Sequence, residues 1–214
     1  MSATLKIPPS NSTHSQLILH DVSWEMYEQL LEIFSEYSVV QMSYYKGILE
    51  LMAPLPEHET YAWTVGRLLT VLSEELGLEI RGLRSTTWRS QSQAVGKEAD
   101  QCFYIQNESL VRDKLEIDLN VDPPPDLAIE IDVTHSALDK LSIYAGLKVP
   151  ELWHFRKREF LIYQLTDEGY RESEESLAFP AFPVKEIARF LQLDAQKGEN
   201  ARMREFRKWV RDRV

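Results

Sequence analysis

The sequence predicts an α/β (α+β) chain, a central mixed β-sheet flanked by helices. Three observations carry this. Helical and strand patterns follow one another in the order helix, strands, helix, strands, helix, strands, the alternation of a layered mixed-sheet protein. One eight-residue run, Pro125 to Asp132, places its acids and aliphatics at strict alternation, as a strand does. No repeat, low-complexity tract or linker divides the 214 residues, a length that one domain with a substantial core fills.

The elements follow in order. Residues 1–20 read as a flexible lead of Ser, Thr, Asn and Pro, ahead of a core domain over 21–195. Ser23 is placed to cap a helix near 23–36, where Trp24, Tyr27, Leu30, Leu31 and Phe34 recur at helical spacing. Val39–Tyr45 and Ile48–Met52 read as strands joined at Lys46-Gly47. A long helix near 57–76 carries Ala62, Val65, Leu69 and Leu72 on one face and stops at Gly77. Short extended pieces follow at Leu78–Arg84 and Trp88–Ser92, then a largely apolar strand at Asp100–Ile105. The polar segment 106–124 leads through Pro123-Pro124-Pro125, a stiff extended run, into the 126–132 strand. Ser136 is placed to start a helix over 136–147. A hairpin around Arg156-Lys157-Arg158, a strand from Tyr170, a loop at Phe179–Pro183 and helices near 184–193 and 199–212 complete the chain.

Composition narrows the function. Hydrophobic content of 43% and charged content of 27% describe a soluble globular chain. No run approaches the ~18 apolar residues of a membrane span. The N-terminus lacks a basic start and an apolar signal core, and the single cysteine, Cys102, fits a reducing cytoplasm. A net charge of −10 argues against broad electrostatic nucleic-acid binding by the whole surface. The charge is uneven, because residues 199–214 hold six basic against three acidic side chains. That basic amphipathic helix reads either as a nucleic-acid backbone contact or, through Met203, Phe206 and Val210, as a packing element.

The stretch that carries chemistry is Asp126-Leu127-Ala128-Ile129-Glu130-Ile131-Asp132. On a strand the three acids share one face, about 6–7 Å between successive members. At an effective dielectric near 20, two such charges repel by roughly 2–3 kcal/mol. A strand keeps that repulsion when it lies in water, takes up protons or binds a cation. Glu130 is the leading metal ligand; the plainer reading is a glutamate on a solvent-facing edge. Asp100, at the start of another strand, is placed to share the cation, or else to serve as a turn residue after Gly96. Asp132 follows as a further ligand or as an acceptor behind the ligands, and Asp126 reads as the terminator of the proline run. Hard oxygen donors without a Cys or His cluster suit Mg²⁺ or Mn²⁺ better than zinc. Lys140, on one helical face with Ile143, Tyr144 and Leu147, is placed to orient water or to form a structural ion pair. Glu50 and His58 are candidate outer groups. Cys102 reads as a buried hydrophobe. No G-x-S-x-G elbow, phosphate-binding glycine loop or H-E-x-x-H is present.

These residues also resemble a known family. The run Gly47–His58, the segment Gly96-Lys-Glu-Ala-Asp100, the strand Asp122–Asp132, Lys140-x-x-x-Tyr144 and Val149-Pro-Glu-Leu-Trp153 together resemble a bacterial restriction-endonuclease-type family of the PD-(D/E)XK nuclease superfamily. The likeness covers about residues 20–180. It implies a restriction-endonuclease-like core and Mg²⁺-dependent (or Mn²⁺-dependent) hydrolysis of DNA phosphodiesters by a homodimer. By position, Asp100 and Glu130 look like the superfamily's metal-binding acids. Asp132 stands where the superfamily pattern expects lysine, and the resemblance moves that role to Lys140 on the next helix. The competing readings are a nuclease-like fold that serves as a binding or assembly module, and a metal-dependent phosphoesterase acting on another substrate.

Overall fold

The strands divide between two sheets in a computed structural model that describes residues 16–35, 40–84, 86–132, 138–192 and 198–214. In chain order the first half holds β1 (Gln16–Leu19), α1 (Trp24–Ser35), β2 (Gln41–Tyr45), β3 (Ile48–Met52), α2 (Pro56–Leu76), β4 (Arg81–Gly82), β5 (Thr87–Ser90) and β6 (Val95–Glu98). The second half holds β7 (Gln101–Tyr104), α3 (Glu108–Val111), β8 (Leu127–Asp132), α4 (Lys140–Gly146), β9 (Glu151–Arg156), β10 (Glu159–Thr166), β11 (Gly169–Ser173), a 3-10 helix (Val184–Leu191) and α5 (Glu199–Arg211).

The mixed sheet runs β11-β10-β9-β8-β7-β4, with β8 and β9 parallel and the other pairs antiparallel. This is the expected mixed sheet flanked by helices. The second sheet, β1-β3-β2-β6-β5, is wholly antiparallel, and the sequence pattern did not announce it. Its hairpin from β2 to β3 turns on Lys46 and Gly47, both at positive φ, the two-residue turn whose twist matches the flanking strands.

β8 lies inside the mixed sheet and is buried on both faces. Leu127, Ile129 and Ile131 join α2, the 3-10 helix and α5 in one apolar cluster. Ala128 faces the other way, into a cluster with Trp88, Val95, Cys102, Ile143 and Tyr144. The predicted stripe of α2, Ala62, Val65, Leu69 and Leu72, is buried in the first cluster. α2 stops where Gly77 takes φ +65, with its N–H and that of Leu78 donating back to Glu74 and Ser73 carbonyls.

Several boundaries differ from expectation. The strand β6 was unanticipated: Val95-Gly96-Lys97-Glu98 pairs a glycine with two charges and shows no alternation, because Val95 to Lys97 are all buried. The helix expected over 136–147 spans Lys140–Gly146, capped by Asp139, whose carboxylate accepts from Leu141 N and Ser142 N; Ser136 lies outside the described residues. The segment expected as a helix over 184–193 is a 3-10 helix at Val184–Leu191. Within the 1–20 segment, Gln16–Leu19 pair with β3. Among the described residues no helix is long and apolar enough to cross a membrane.

The basic C-terminal helix is a packing element. α5 buries Met203, Phe206, Trp209 and Val210. Arg207 pairs with Glu74 and Glu75 of α2, and Arg211 pairs with Glu75. Much of the positive charge read from the sequence is therefore met within the chain.

Candidate active site

The mixed sheet brings the predicted acids together. Gln101 pairs with Ile129 and Cys102 with Ala128, so the same register, carried one residue further, sets Asp100 opposite Glu130. Opposite positions on antiparallel strands project to one side, with Cβ atoms about 4.5–5.5 Å apart. Asp100 stands at the mouth of β7 rather than inside it, and its carboxylate is held from three directions. Oδ2 accepts from the Ile131 backbone N–H at 2.7 Å and meets His58 Nε2 at 3.0 Å, while Oδ1 accepts from Gln41 Nε2 at 3.2 Å. Burial alone would push this acid up, but the His58 bond and charge, with Lys97 and Lys140, outweigh it and hold Asp100 below the usual carboxylate range. His58 rises in turn: burial opposes its proton, and the bond and charge of Asp100 override that.

Glu130 is 1% exposed, the kind of carboxylate that burial penalises unless it is paired. Its Oε1 accepts from the Tyr144 hydroxyl and lies 3.3 Å from Lys97 Nζ; its Oε2 lies 2.7 Å from Lys140 Nζ. The Lys140 contact is close but not aligned as a hydrogen bond, and Oε2 has no hydrogen-bond partner by geometry. Lys140 also donates to Asp132 Oδ1 at 2.7 Å. Burial opposes the Lys140 charge, yet Glu130, Asp100 and Asp132 keep its ammonium protonated well beyond the ordinary lysine range. Asp132 closes the chain of contacts with Oδ2 at 2.6 Å from His154 Nε2. Burial raises Asp132, but His154 and Lys140 prevail and bring it down to about 2.

Six residues named from the sequence thus form one network: His58, Asp100, Glu130, Asp132, Lys140 and Tyr144. Glu50 stands apart on β3, buried and accepting from Gln16 Nε2. The registers Glu50↔Ser43 and Ser43↔Lys97 put it on the same sheet face as Lys97, two strand spacings away, about 10 Å. Asp126 is structural, accepting from Ile105 N, Asn107 N and Asn107 Nδ2. Cys102 is buried against Trp88 Nε1, and burial pushes its thiol up to about 12.

Sequence reasoning missed Lys97, Gln41 and His154. His154 carried one readable signal, since it alternates with Trp153 and Phe155 in a predicted strand. That strand pairs with β8 so that His154 lies opposite Glu130. Lys97 and Gln41 had none, because each reaches the site from the second sheet.

The donor set fits a hard divalent cation. Two carboxylates on adjacent strands, one with an oxygen unclaimed by any hydrogen bond, match the way Mg²⁺ or Mn²⁺ is held by one or two acids plus water and substrate phosphate. Among the described residues no three His, Cys, Asp or Glu side chains form a group that could hold a metal ion by themselves. Beside Asp100 opens a cavity of about 300 Å³, lined by Gln41, His58, Glu59, Arg84, Glu98 and Gln101 among others.

The profile of the Uma2 family, described as "Putative restriction endonuclease", matches residues 24–195. Among solved structures the chain is similar to a "putative nuclease belonging to DUF820" from Anabaena variabilis. The two share 16% identity over 79% of this chain and 90% of that one, with a TM-score of 0.44. No curated protein matches the sequence. The family match takes in β8, α4 and every residue of the network, and the chain belongs to the Uma2 family.

Proposed function

We propose that the chain is a divalent-metal-dependent endonuclease that hydrolyses DNA phosphodiesters. The observation that carries this reading is the juxtaposition of Asp100 and Glu130 across β7 and β8 with Lys140 Nζ 2.7 Å from Glu130 Oε2. Asp100 and Glu130 would hold Mg²⁺ or Mn²⁺, which supplies an acidified water and neutralises charge on the phosphoryl group. The protein's own groups do the rest. His58 and the Ile131 N–H keep Asp100 ionised and aimed. Tyr144 and Asp132 fix Glu130 and Lys140. The Lys140 ammonium, protonated at neutral pH, orients the attacking water and donates to the phosphoryl oxygen as charge develops there. Lysine suits this task as a compact, mobile point charge. The cavity beside Asp100 admits the strand to be cut.

The test is cleavage of supercoiled plasmid by wild type, Asp100→Asn and Glu130→Gln with Mg²⁺, Mn²⁺ or chelator. Wild-type nicking that needs the cation and disappears in both variants supports the reading. Cleavage by a clean Glu130→Gln preparation sinks it. A second reading, a nuclease-fold binding module without turnover, draws on Asp132 standing at the superfamily's lysine position. It predicts DNA retention without nicking under every cation.

A further inference from the structure

Lys97 is an unusual residue to find where it is. Its side chain is 2% exposed, and burying an ammonium is costly unless it is paired. It comes from β6 of the antiparallel sheet, flanked in register by Ser43 and Trp88, and reaches across to the mixed sheet. There its Nζ donates to the Glu98 carbonyl at 2.8 Å and lies 3.3 Å from Glu130 Oε1. The approach is made possible by the residue before it. A Cβ on Gly96 would lie 2.1 Å from the Tyr27 hydroxyl oxygen, so only glycine lets β6 pass under that ring.

Glu130 thereby has two unlike oxygens. Oε1 is anchored by the Tyr144 hydroxyl and the buried Lys97. Among the described residues Oε2 meets the charge of Lys140, a contact without hydrogen-bond geometry. Lys140 has a second carboxylate to hold it, since Asp132 Oδ1 lies 2.7 Å away. It can therefore leave Oε2 without becoming an unpaired buried charge. Lys97 has its carboxylate contact at Glu130.

We propose that Lys97 is a positioning residue of this site, locking Glu130 through Oε1 so that Oε2 is presented to the cation and Lys140 is released toward the substrate. The assignment rests on the nuclease reading above for its catalytic half. Its other half concerns metal binding alone. Lys97 holds the carboxylate in place while its positive charge opposes the incoming cation. Removing it therefore separates affinity from turnover, which a collapsed site does not do, because collapse weakens both.

The experiment compares wild type, Lys97→Met and Lys97→Gln, each first shown to unfold cooperatively. Free Mn²⁺ is followed by electron paramagnetic resonance, and plasmid cleavage is measured at saturating Mn²⁺ and DNA. The expected result is Mn²⁺ bound more tightly than by wild type, with kcat lower by about 10- to 100-fold and KM for DNA little changed. Lys97→Gln, which keeps a donor toward Glu130, recovers part of kcat. Wild-type kcat in Lys97→Met overturns the proposal, as does parallel loss of Mn²⁺ affinity and turnover in both folded variants. If wild type binds Mn²⁺ but cuts nothing, the nuclease reading falls and the metal arm decides alone: tighter binding in Lys97→Met supports the positioning role, while unchanged or weaker binding overturns it. Wild type that binds no Mn²⁺ overturns both.

Discussion

Lys140 Nζ lies 2.7 Å from Asp132 Oδ1 and 2.7 Å from Glu130 Oε2, so one ammonium from α4 bridges two acids of β8. By the family resemblance a lysine is expected at position 132; Asp132 stands there instead and holds a lysine supplied by the next helix. Asp132→Asn keeps a hydrogen-bonding group but removes the charge that retains Lys140. The expected outcome is a folded protein with kcat lower by about 10- to 100-fold, measured by steady-state cleavage under Mg²⁺. Asp132→Lys is expected not to restore activity to Lys140→Ala, because the new ammonium would sit against His154.

Glu130 compensates two buried ammoniums, and removing it leaves Lys97 without its carboxylate. Glu130→Ala is therefore expected to destabilise the fold by about 3–5 kcal/mol, read from urea unfolding. Glu130→Gln, which keeps an acceptor for Tyr144, is expected to cost less. Equal stability of Glu130→Ala and wild type would show that the ion pairs are not formed in solution.

Gly96 matters for a different reason. Tyr27 is fully buried and stacked on Tyr44 at 4.6 Å between ring centroids, so its ring has no room to retreat from a new methyl group. Gly96→Ala is expected to destabilise by about 1–3 kcal/mol and, by shifting β6, to lower activity through Lys97. Thermal unfolding and cleavage assays on the same preparation check both.

Glu151 offers a pH-dependent test away from the site. It is fully buried at the start of β9. Burial raises its pKa above 4.5, and the bonds from Ser176, Trp153, Leu177 N and Ala178 N only partly offset this. The folded chain then keeps this proton to a higher pH than the unfolded chain does. Its contribution to stability is full below pH 4.5 and is lost as pH rises through the folded value. Glu151→Gln lacks that dependence. The wild-type Tm relative to Glu151→Gln is expected to fall with rising pH across this window, checked by calorimetry from about pH 4 to 8.

The α5 arginines separate packing from DNA binding. Arg207 and Arg211 face Glu74 and Glu75, so Arg207→Ala with Arg211→Ala is expected to leave DNA affinity within about twofold of wild type. Phe206→Ala, by contrast, opens a hole in the main core and is expected to cost about 3–5 kcal/mol. Gel-shift titration and urea unfolding distinguish the two.

Sequence by itself determined the elements whose signal is local. The stripe of α2 and the run Leu127–Asp132 were legible because periodicity depends only on a residue's neighbours in the chain. Asp100 and Glu130 were candidate partners from their places on two strands, and the family resemblance pointed the same way; Lys140 followed from its helical face with Ile143, Tyr144 and Leu147. Tertiary structure alone decided what the second sheet does. β6 has no alternating pattern because it is buried on both faces, and Lys97 looks like any surface lysine until β6 is laid against β2 and β5. Gln41 and His154 likewise gain a role only when distant strands meet. The charge on α5 shows the same limit in reverse: sequence left a nucleic-acid contact and a packing element as alternatives, and only the fold brings Glu74 and Glu75 of α2 to Arg207 and Arg211. An ion pair is a property of distance in space, and sequence spacing carries that distance only within one helix or one strand.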